Sequence, residues 1–379
     1  MSNHGTVRLG DVATYINGYA FKPSDWSDNG LPIIRIQNLT GNDYQTNYYN
    51  KEYNPKYLVK KGDGLISWSA SLGVFVWKKE DALLNQHIFK VVFDKIDVDK
   101  DYFCLAVEYL LKRMGSEVHG STMKHITKPR FDNTIFPLPD KNTQRLIAKK
   151  ITTADEIINK CKLKMQKLDE LVKSRFVEMF GDPILNPKGW EMTTIGEIVT
   201  EVKYGTSRPA IDGGKYAYLR MNNLTYDGYL DLADLKRIDI PDSEIEKCIV
   251  RKGDVLFNRT NSIELVGKTC VFDKDEDMII AGYIIRVRLK PVMLPLIMSY
   301  FMNTDALKKK LRSMAKGAVN QANINAQELK AIKIYLPPTD LQQQFADFVA
   351  QTDKAKVAVK QILEKAETLK KSLMQEYFG

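Results

Sequence analysis

Two long stretches of the chain carry a heptad pattern that restricts the fold more than any other feature. Apolar or small residues recur at alternating steps of four and three, which is the seam of a coiled-coil helix. The first seam runs through Ile147, Ile151, Ala154, Ile158, Cys161, Met165, Leu168 and Val172. The second runs through Phe345, Phe348, Thr352, Ala355, Val359, Ile362, Ala366, Leu369 and Leu373. Because a stripe this narrow cannot build a core alone, each helix is predicted to pack against the other.

The two helical stretches are copies of one sequence at an offset of 198 residues, without a gap. The matched pairs are Leu138 and Leu336, Pro139 and Pro337, Gln144 and Gln342, Ala148 and Ala346, Leu171 and Leu369, Ser174 and Ser372, Glu178 and Glu376, Phe180 and Phe378, and Gly181 and Gly379. Two unrelated amphipathic helices would not share the same Leu-Pro start and Phe-Gly end. A repeat of this length indicates duplication.

Landmarks also recur in the segments before each helix, at offsets that drift between about 185 and 198 residues. The repeated landmarks are Leu9-Gly10-Asp11-Val12 and Ile195-Gly196-Glu197-Ile198, Gly18 and Gly205, Arg35 with Asn38-Leu39 and Arg220 with Asn223-Leu224, and Lys61-Gly62-Asp63 and Lys252-Gly253-Asp254. Short β-type runs separated by Gly, Asn and Asp lie between them. We therefore expect an α+β protein with a pseudo-two-fold internal repeat. Two mixed α/β domains, residues 1–137 and 183–336, are separated by two long antiparallel coiled-coil helices, residues 138–182 and 337–379.

Charge and composition narrow the functional class only slightly. The chain of 379 residues has a net charge of +9, which makes a polyanion a plausible partner. Its cysteines, Cys104, Cys161, Cys248 and Cys270, form no C-x-x-C pair, so we expect a reduced, intracellular protein. The N-terminus lacks an apolar signal core, and the apolar run at 294–302 is too short for a bilayer. These features predict a cytoplasmic location.

Catalytic motifs are missing from the sequence. It contains no phosphate-binding G-x-x-x-x-G-K-[ST] loop, no G-x-G-x-x-G and no H-E-x-x-H. The histidines, His4, His87, His119 and His125, lack metal-ligand spacing, so we expect neither a metal nor a cofactor. The two Lys-Gly-Asp triplets could suggest a charged catalytic pair, but a turn before a strand is the better interpretation.

Both globular segments carry polar and aromatic residues that suit DNA. Arg pairs with guanine and Asn or Gln with adenine, whereas Lys and Ser are better suited to phosphates. The candidates in the first segment are Arg35, Gln37, Asn38, Ser67, Trp68, Ser69, Gln86, His87, Lys124 and His125. Those in the second are Arg220, Asn222, Asn223, Asn258, Arg259, Thr260, Asn261, Tyr283, Arg286, Lys316, Asn320, Gln321 and Asn323. A solvated surface role explains any single residue equally well, so the weight comes from the corresponding positions in both copies.

Several of these motifs together resemble the DNA-specificity (S) subunit of type I restriction–modification systems. They are the Leu-Pro-x4-Gln start of the long helix, its Phe-Gly-Asp-Pro end, the Asn-Pro-Lys-Gly-Trp that follows, and the Gly-Asp-x-Leu turn before a strand. The tails of both globular segments, residues 123–139 and 316–337, share the resemblance. It covers the whole chain.

The resemblance implies a non-catalytic subunit of a restriction endonuclease and adenine methyltransferase complex. Each globular segment would be a target recognition domain that reads one half of a bipartite site in double-stranded DNA. The helices would set the spacer and dock two methyltransferase (M) subunits, which restriction (R) subunits join. S-adenosylmethionine, ATP and Mg would belong to those partners, and no membrane is involved. The alternatives are a stand-alone nuclease or methyltransferase, and a coiled-coil scaffold that does not bind DNA.

Overall fold

A computed structural model describes residues 5–41, 46–116, 125–318 and 321–379 of the chain. The chain divides into two compact units. Unit 1 comprises Met1–Lys162 and Gln361–Gly379, and unit 2 comprises Leu163–Lys360. Each unit therefore contains one globular segment and a part of each long helix.

Unit 1 is built from short strands and a few helices. Its strands are β1 (Thr6–Arg8), β2 (Thr14–Asn17), β3 (Leu31–Ile34), β4 (Tyr48–Tyr49), β5 (Leu58–Val59), β6 (Gly64–Ser67), β7 (Gly73–Val76), β8 (Ala82–Leu84), β9 (Ile88–Val92) and β10 (Ile135–Pro137). Its helices are α1 (Leu9–Val12), α2 (Ile36–Leu39), α3 (Lys100–Ser116), α4 (Lys128–Asp132) and the first part of α5 (Lys141–Phe180). The strands form the sheets β2-β9-β6-β7, β4-β3-β8-β5 and β1-β10.

Unit 2 repeats this arrangement. Its strands are β11 (Glu191–Thr194), β12 (Val199–Tyr204), β13 (Tyr216–Leu219), β14 (Lys236–Ile238), β15 (Ile249–Val250), β16 (Val255–Asn258), β17 (Thr260–Asn261), β18 (Thr269–Val271), β19 (Met278–Ile280), β20 (Ile284–Leu289), β21 (Lys316–Ala318), β22 (Gln321–Asn323) and β23 (Lys333–Leu336). Its helices are α6 (Ile195–Ile198), α7 (Asp242–Cys248), α8 (Pro295–Met302), α9 (Asp305–Met314), α10 (Ala326–Lys330), the end of α5 and the start of α11 (Thr339–Phe378).

The sheets of the two units have the same strand order, which confirms the predicted duplication. β12-β20-β16-β18, β14-β13-β19-β15 and β11-β23 correspond to the three sheets of unit 1. The match includes direction, because β3 pairs with β8 in parallel and β13 pairs with β19 in parallel, whereas the other ladders are antiparallel. In unit 2, β17, β22 and β21 also form a small sheet. The predicted mixed α/β class is confirmed, and the four segment boundaries stay a prediction.

In each unit, α5 and α11 pack antiparallel, as the heptads predict. In unit 1, Lys150 Nζ donates to Tyr377 Oη over 3.1 Å and Lys370 Nζ to Asp155 over 2.6 Å. In unit 2, Lys356 Nζ lies 2.6 Å from the Asp169 carboxylate. The ring centroids of Phe180 and Phe345 lie 5.5 Å apart there. Residue numbers rise along α5 while they fall along α11 in both units.

The predicted seam of α11 is wrong at two positions. Ile362 and Leu369 are 51% and 54% exposed, whereas Lys356 is buried and Lys370 is half-buried. Both lysines place an amine on an α5 aspartate and bury an aliphatic stem. At Leu369, the spacing of apolar residues could not find the seam position, because Lys370 occupies it. At Ile362, the neighbouring Leu363 is the more buried of two apolar residues, and residue type alone does not distinguish them. No helix within the described residues combines the length and apolarity needed to cross a membrane.

The Leu-Pro-x4-Gln motif joins each long helix to its globular segment. Gln144 is buried, its Nε2 donates to Pro139 O over 2.7 Å, and its Oε1 accepts from Asp99 N over 2.8 Å. Gln342 is buried in the same way, with bonds to Pro337 O and from Leu294 N. Each glutamine thus ties the start of a long helix to the residues that precede α3 or α8.

The Lys-Gly-Asp triplets form turns, as their preferred interpretation predicts. Asp63 Oδ2 accepts from Lys60 N over 2.8 Å, and Asp254 Oδ2 accepts from Arg251 N over 2.9 Å. The central glycine has φ +95° in both turns, a conformation that favours glycine. The two aspartates therefore hold the turns that start β6 and β16.

Candidate nucleic-acid interface

One backbone arrangement is repeated where β6 and β16 end, and it defines corresponding positions in the two units. Trp68 N donates to His87 O over 3.3 Å, and Trp68 O accepts from Ile126 N over 3.0 Å. In unit 2, Arg259 N donates to Tyr283 O over 2.9 Å, and Arg259 O accepts from Ile324 N over 2.9 Å. Trp68 therefore corresponds to Arg259, and His87 corresponds to Tyr283. We call this arrangement the repeated frame.

A buried polar side chain just before the frame supports it in each unit. Ser67 Oγ donates to Ser69 O over 3.2 Å. At the matching place, Asn258 Nδ2 donates to Thr260 O over 3.1 Å. Different side chains thus make the same bond, which holds the backbone of the next residue in place in both units.

In unit 1 the frame presents an indole between two imidazoles. The ring centroid of Trp68 lies 5.1 Å from that of His87 and 4.8 Å from that of His125. Phe89 stacks on the indole from within the core, with centroids 5.5 Å apart. Trp68 and His87 are half-buried, and His125 is exposed. We call Trp68, His87 and His125 the indole–imidazole cluster. It offers aromatic faces and ring nitrogens on one surface.

In unit 2 the frame borders an open cleft of about 760 Å³. The predicted residues Arg220, Asn222, Arg259 and Tyr283 line this unit 2 cleft together. Asn222 and Tyr283 are exposed, and the two arginines are half-buried. Arg220 and Asn222 are far from Arg259 and Tyr283 along the chain, and the strand order of unit 2 brings them together.

The cleft is cationic, and two of its arginines are paired. Arg208 Nη2 lies 2.7 Å from the Glu244 carboxylate, and Arg220 Nη2 lies 2.6 Å from that of Asp234. The bond from Arg208 lowers the pKa of the Glu244 carboxyl, so the carboxylate stays ionised. The side chain of Asn323 lies beside the frame, where its Oδ1 accepts from Thr260 Oγ1 over 3.0 Å. Unit 2 therefore presents donors and charge where unit 1 presents aromatic rings.

Seven of the predicted DNA-contact residues are buried. A buried side chain could reach a duplex only after a rearrangement of the fold, and the predicted contacts at these positions stay a prediction. These residues are Asn38, Ser67, Ser69, Asn223, Asn258, Thr260 and Arg286, each no more than 9% exposed. Polar side-chain type and position in the repeat identified them, but those criteria do not distinguish inward from outward residues on a strand.

Three of these buried residues have clear structural tasks. Asn38 Oδ1 accepts from Arg35 N over 2.9 Å and Asn223 Oδ1 from Arg220 N over 2.8 Å, so the repeated Arg-x-x-Asn landmark caps a short helical turn. Arg286 is fully buried, donates to Ile249 O and pairs with Glu201. These bonds account for the burial of the three side chains.

The other candidates are scattered or outside the described residues. Arg35 and Gln37 lie at α2, Gln86 precedes His87, Asn261 ends β17, and Gln321 starts β22. Lys316 starts β21. Lys124 and Asn320 lie outside the described residues. Within the described ranges, no group of three or more His, Cys, Asp or Glu side chains is placed to hold a metal ion.

Sequence reasoning missed the segment that follows the repeated glycine. Gly18 and Gly205 both lie so close to a backbone carbonyl that a Cβ would come within 2.1 Å of its oxygen. The residues around Gly205, including Tyr204 and Arg208, form one wall of the unit 2 cleft. In unit 1 the matching segment carries Tyr19 and Phe21, whose rings touch with centroids 4.9 Å apart. The repeated glycine is visible in the sequence, and it could have identified the residues next to it as candidates for the site.

Comparisons with known proteins agree with this architecture. The family described as "Type I restriction modification DNA specificity domain" matches residues 1–170 and 187–368. The chain is 23% identical to the type I restriction enzyme EcoBI specificity subunit of Escherichia coli, over 98% of this chain and 85% of the relative. It is 22% identical to the MjaVIII specificity subunit of Methanocaldococcus jannaschii, over 97% of this chain and 90% of the relative.

Solved structures share the fold at low sequence identity. A structure from work on complex assembly and conformational transition of the type I R-M system has a TM-score of 0.64 and 16% identity. It covers 100% of this chain and 98% of that chain. The S subunit of a type I system from M. genitalium has a TM-score of 0.55 and 14% identity, with 100% and 97% coverage.

Proposed function

This chain belongs to the family of type I restriction modification DNA specificity domains, and on that premise we propose that it is the DNA-binding specificity subunit of a type I restriction–modification complex. Unit 1 and unit 2 each read one half of a bipartite site in double-stranded DNA. The chain has no catalytic role of its own. Methylation and cleavage belong to two M subunits and to R subunits, which bring S-adenosylmethionine, ATP and Mg.

The observation that carries this proposal is the repeated frame with different side chains. The indole–imidazole cluster and the Arg259–Tyr283 side of the unit 2 cleft occupy corresponding positions on the same strand order. Two copies of one scaffold with different exposed groups are suited to two different short sequences, because base edges are distinguished by donors, acceptors and apolar groups. The expected site is therefore split and asymmetric. The net charge of +9 supports attraction to the phosphate backbone.

The decisive experiment is co-expression with the product of the neighbouring methyltransferase-like gene. The mass of the purified complex and the methylated motif in the host DNA are then measured. We expect two partner subunits per chain and methylation at a split, asymmetric motif. A chain that purifies alone and leaves methylation unchanged would contradict the proposal.

The role of α5 and α11 in setting the spacer has its own test. Inserting one heptad at matching points of both helices lengthens the pair by about 10 Å, which corresponds to roughly three base pairs. The expected motif keeps both half-sites and has a longer spacer. An insertion in α11 alone is the control, because it shifts Lys356 and Lys370 relative to their aspartate partners. A change in the half-site letters after the matched insertion would contradict this role.

A further inference from the structure

Arg259 is held in the unit 2 cleft by its backbone and by an aromatic ring. Its backbone N–H and C=O are both used in the repeated frame, with Tyr283 and Ile324. Its guanidinium lies over the ring of Tyr204, 4.9 Å from the centroid. Stacking on an aromatic face is a favoured arrangement for the planar guanidinium and limits its orientation. The side chain is therefore oriented before any ligand arrives.

The donors of Arg259 are largely unused. Arg208 and Arg220, which line the same cleft, give their donors to Glu244 and Asp234. Arg259 makes one long bond, from Nη1 to Gly282 O over 3.4 Å, and its buried Nε has no partner. Among the described residues it has no carboxylate partner. A half-buried cation with open donors indicates a place for an acceptor-rich ligand, because unpaired polar groups in such positions are costly.

Two acceptors of DNA could take this guanidinium, a phosphate or a base edge. A phosphate contact contributes the same binding free energy for every DNA sequence. Both copies of the scaffold would therefore be expected to keep a cation there. The corresponding residue in unit 1 is Trp68, which carries no positive charge and cannot form an ion pair with a phosphate. A position that differs between the two copies suits a contact that distinguishes bases. Arg pairs through two parallel N–H donors with O6 and N7 of guanine.

We propose that the unit 2 cleft binds the major-groove edge of a guanine and that Arg259 is the residue that reads it. This inference rests on the proposed function, since it assigns one letter of the half-site of unit 2. The ring of Tyr204 packs against the guanidinium and limits its orientation. Tyr283, which is exposed beside the frame, borders the same base.

The test uses the complete complex with its methyltransferase partner and the variants Arg259→Gln and Arg259→Ala. The readout is the methylated motif. We expect the preference for guanine at one position of one half-site to fall by about ten- to a hundredfold, because one bidentate contact is lost. The Gln variant is expected to shift that position toward adenine. The letters of the other half-site serve as an internal control and stay unchanged.

Arg251→Gln is the control for the loss of a guanidinium from unit 2. Arg251 lies outside the cleft and is paired with Glu246, so we expect the guanine preference to remain. An Arg259→Ala complex that methylates the unaltered motif would overturn the proposal. A uniform loss of affinity across sequences, with a salt slope lower by about one, would also overturn it, because that is the behaviour of a phosphate contact.

A second measurement starts from the unaltered complex, where the sensitivity of each guanine does not depend on the folding of any variant. Each guanine of the motif is replaced in turn by 7-deazaguanine, which lacks the N7 acceptor. We expect an affinity loss of about tenfold at one guanine, and no further loss at that guanine in the Arg259→Ala complex. A motif without any sensitive guanine would overturn the inference. If the unaltered complex showed no split motif at all, the proposed function itself would fail.

Discussion

The two units share their strand order but differ in what their interiors contain. In unit 2 the buried residues include five charged ones, Asp254, Lys268, Arg286, Lys308 and Lys356. In the described part of unit 1 the buried polar residues are uncharged, namely Asn38, Ser67, Ser69 and Gln144. The same topology therefore accommodates either a nearly apolar interior or one with several ion pairs.

One pair of corresponding positions shows how this difference arises. Lys90 on β9 donates to Leu58 O over 2.7 Å and lies 3.1 Å from Asp63. Arg286 on β20 makes the matching bond to Ile249 O and faces Asp254. Both cations support the same turn, but Lys90 keeps contact with solvent while Arg286 has none. Both units carry a cation at this place, half-buried in unit 1 and fully buried in unit 2.

The largest expected difference between the units concerns the aromatic packing of the long helices. Phe345 packs against Phe176, Phe180 and Tyr300, with ring centroids 5.1–5.5 Å apart. Its counterpart in unit 1 is Ile147, which is also buried. We expect Phe345→Ala to lower the free energy of unfolding of unit 2 by about 3–5 kcal/mol, and Ile147→Ala to cost unit 1 nearer 2–3 kcal/mol.

Hydrogen exchange of each variant, followed amide by amide, measures the two losses separately. Each variant serves as the control for the other, because each substitution lies in one unit only. Equal losses of unfolding free energy in the two units would mean that the aromatic contacts of Phe345 add no stability compared with the packing of Ile147.

The next comparison removes one charge from the corresponding turns. Asp254→Asn keeps an oxygen for the turn bond but removes the charge that faces Arg286 and Arg288. We expect a loss of about 3 kcal/mol, because breaking a buried ion pair leaves an uncompensated charge. Asp63→Asn removes a half-buried charge next to Lys90, and we expect less than about 1 kcal/mol. Urea unfolding monitored separately in each unit gives both values, and similar losses would refute the difference in burial as its cause.

The smallest expected effect is the contribution of Lys308 to the pH dependence of unit 2. Burial lowers the pKa of Lys308 from its ordinary 10.5 to about 8. Between these values the unfolded chain binds a proton that the folded chain has released, so stability rises as the pH goes from 8 to 10.5. The full shift from 10.5 to about 8 corresponds to at most about 3 kcal/mol. We expect a smaller contribution, on the order of 1 kcal/mol, because the bond that Lys308 Nζ donates to Tyr226 O favours the charged amine.

Lys308→Met removes the titrating amine and keeps an apolar stem of similar length. Thermal unfolding of unit 2 is compared in the unaltered chain and in this variant, and the difference in stability between them is expected to grow in favour of the unaltered chain between pH 8 and 10.5. A rise that persists in the variant would assign the dependence to another group.

Much of the fold could be predicted because it rests on periodic or duplicated features. The heptads predict α5 and α11, and the matched Gln144 and Gln342 mark where each long helix joins its globular segment. The seam of α11 was misassigned at Ile362, where Leu363 is the more buried neighbour, and at Leu369, where Lys370 takes the seam position beside Asp155 of α5. A pattern of residue types along one helix does not contain the partner that makes a charge acceptable.

The candidate site was less predictable for a related reason. Arg259 and Arg286 are the same residue type, and both are adjacent to or within the central sheet of unit 2. The pairing of β16 with β20 turns Arg286 into the interior, where Glu201 neutralises it, and leaves Arg259 beside an open cleft. Duplication, helix length and the class of the fold follow from the order of residues alone. Which arginine can meet DNA follows from strand pairing, because side-chain direction and burial depend on neighbours that are distant in the chain.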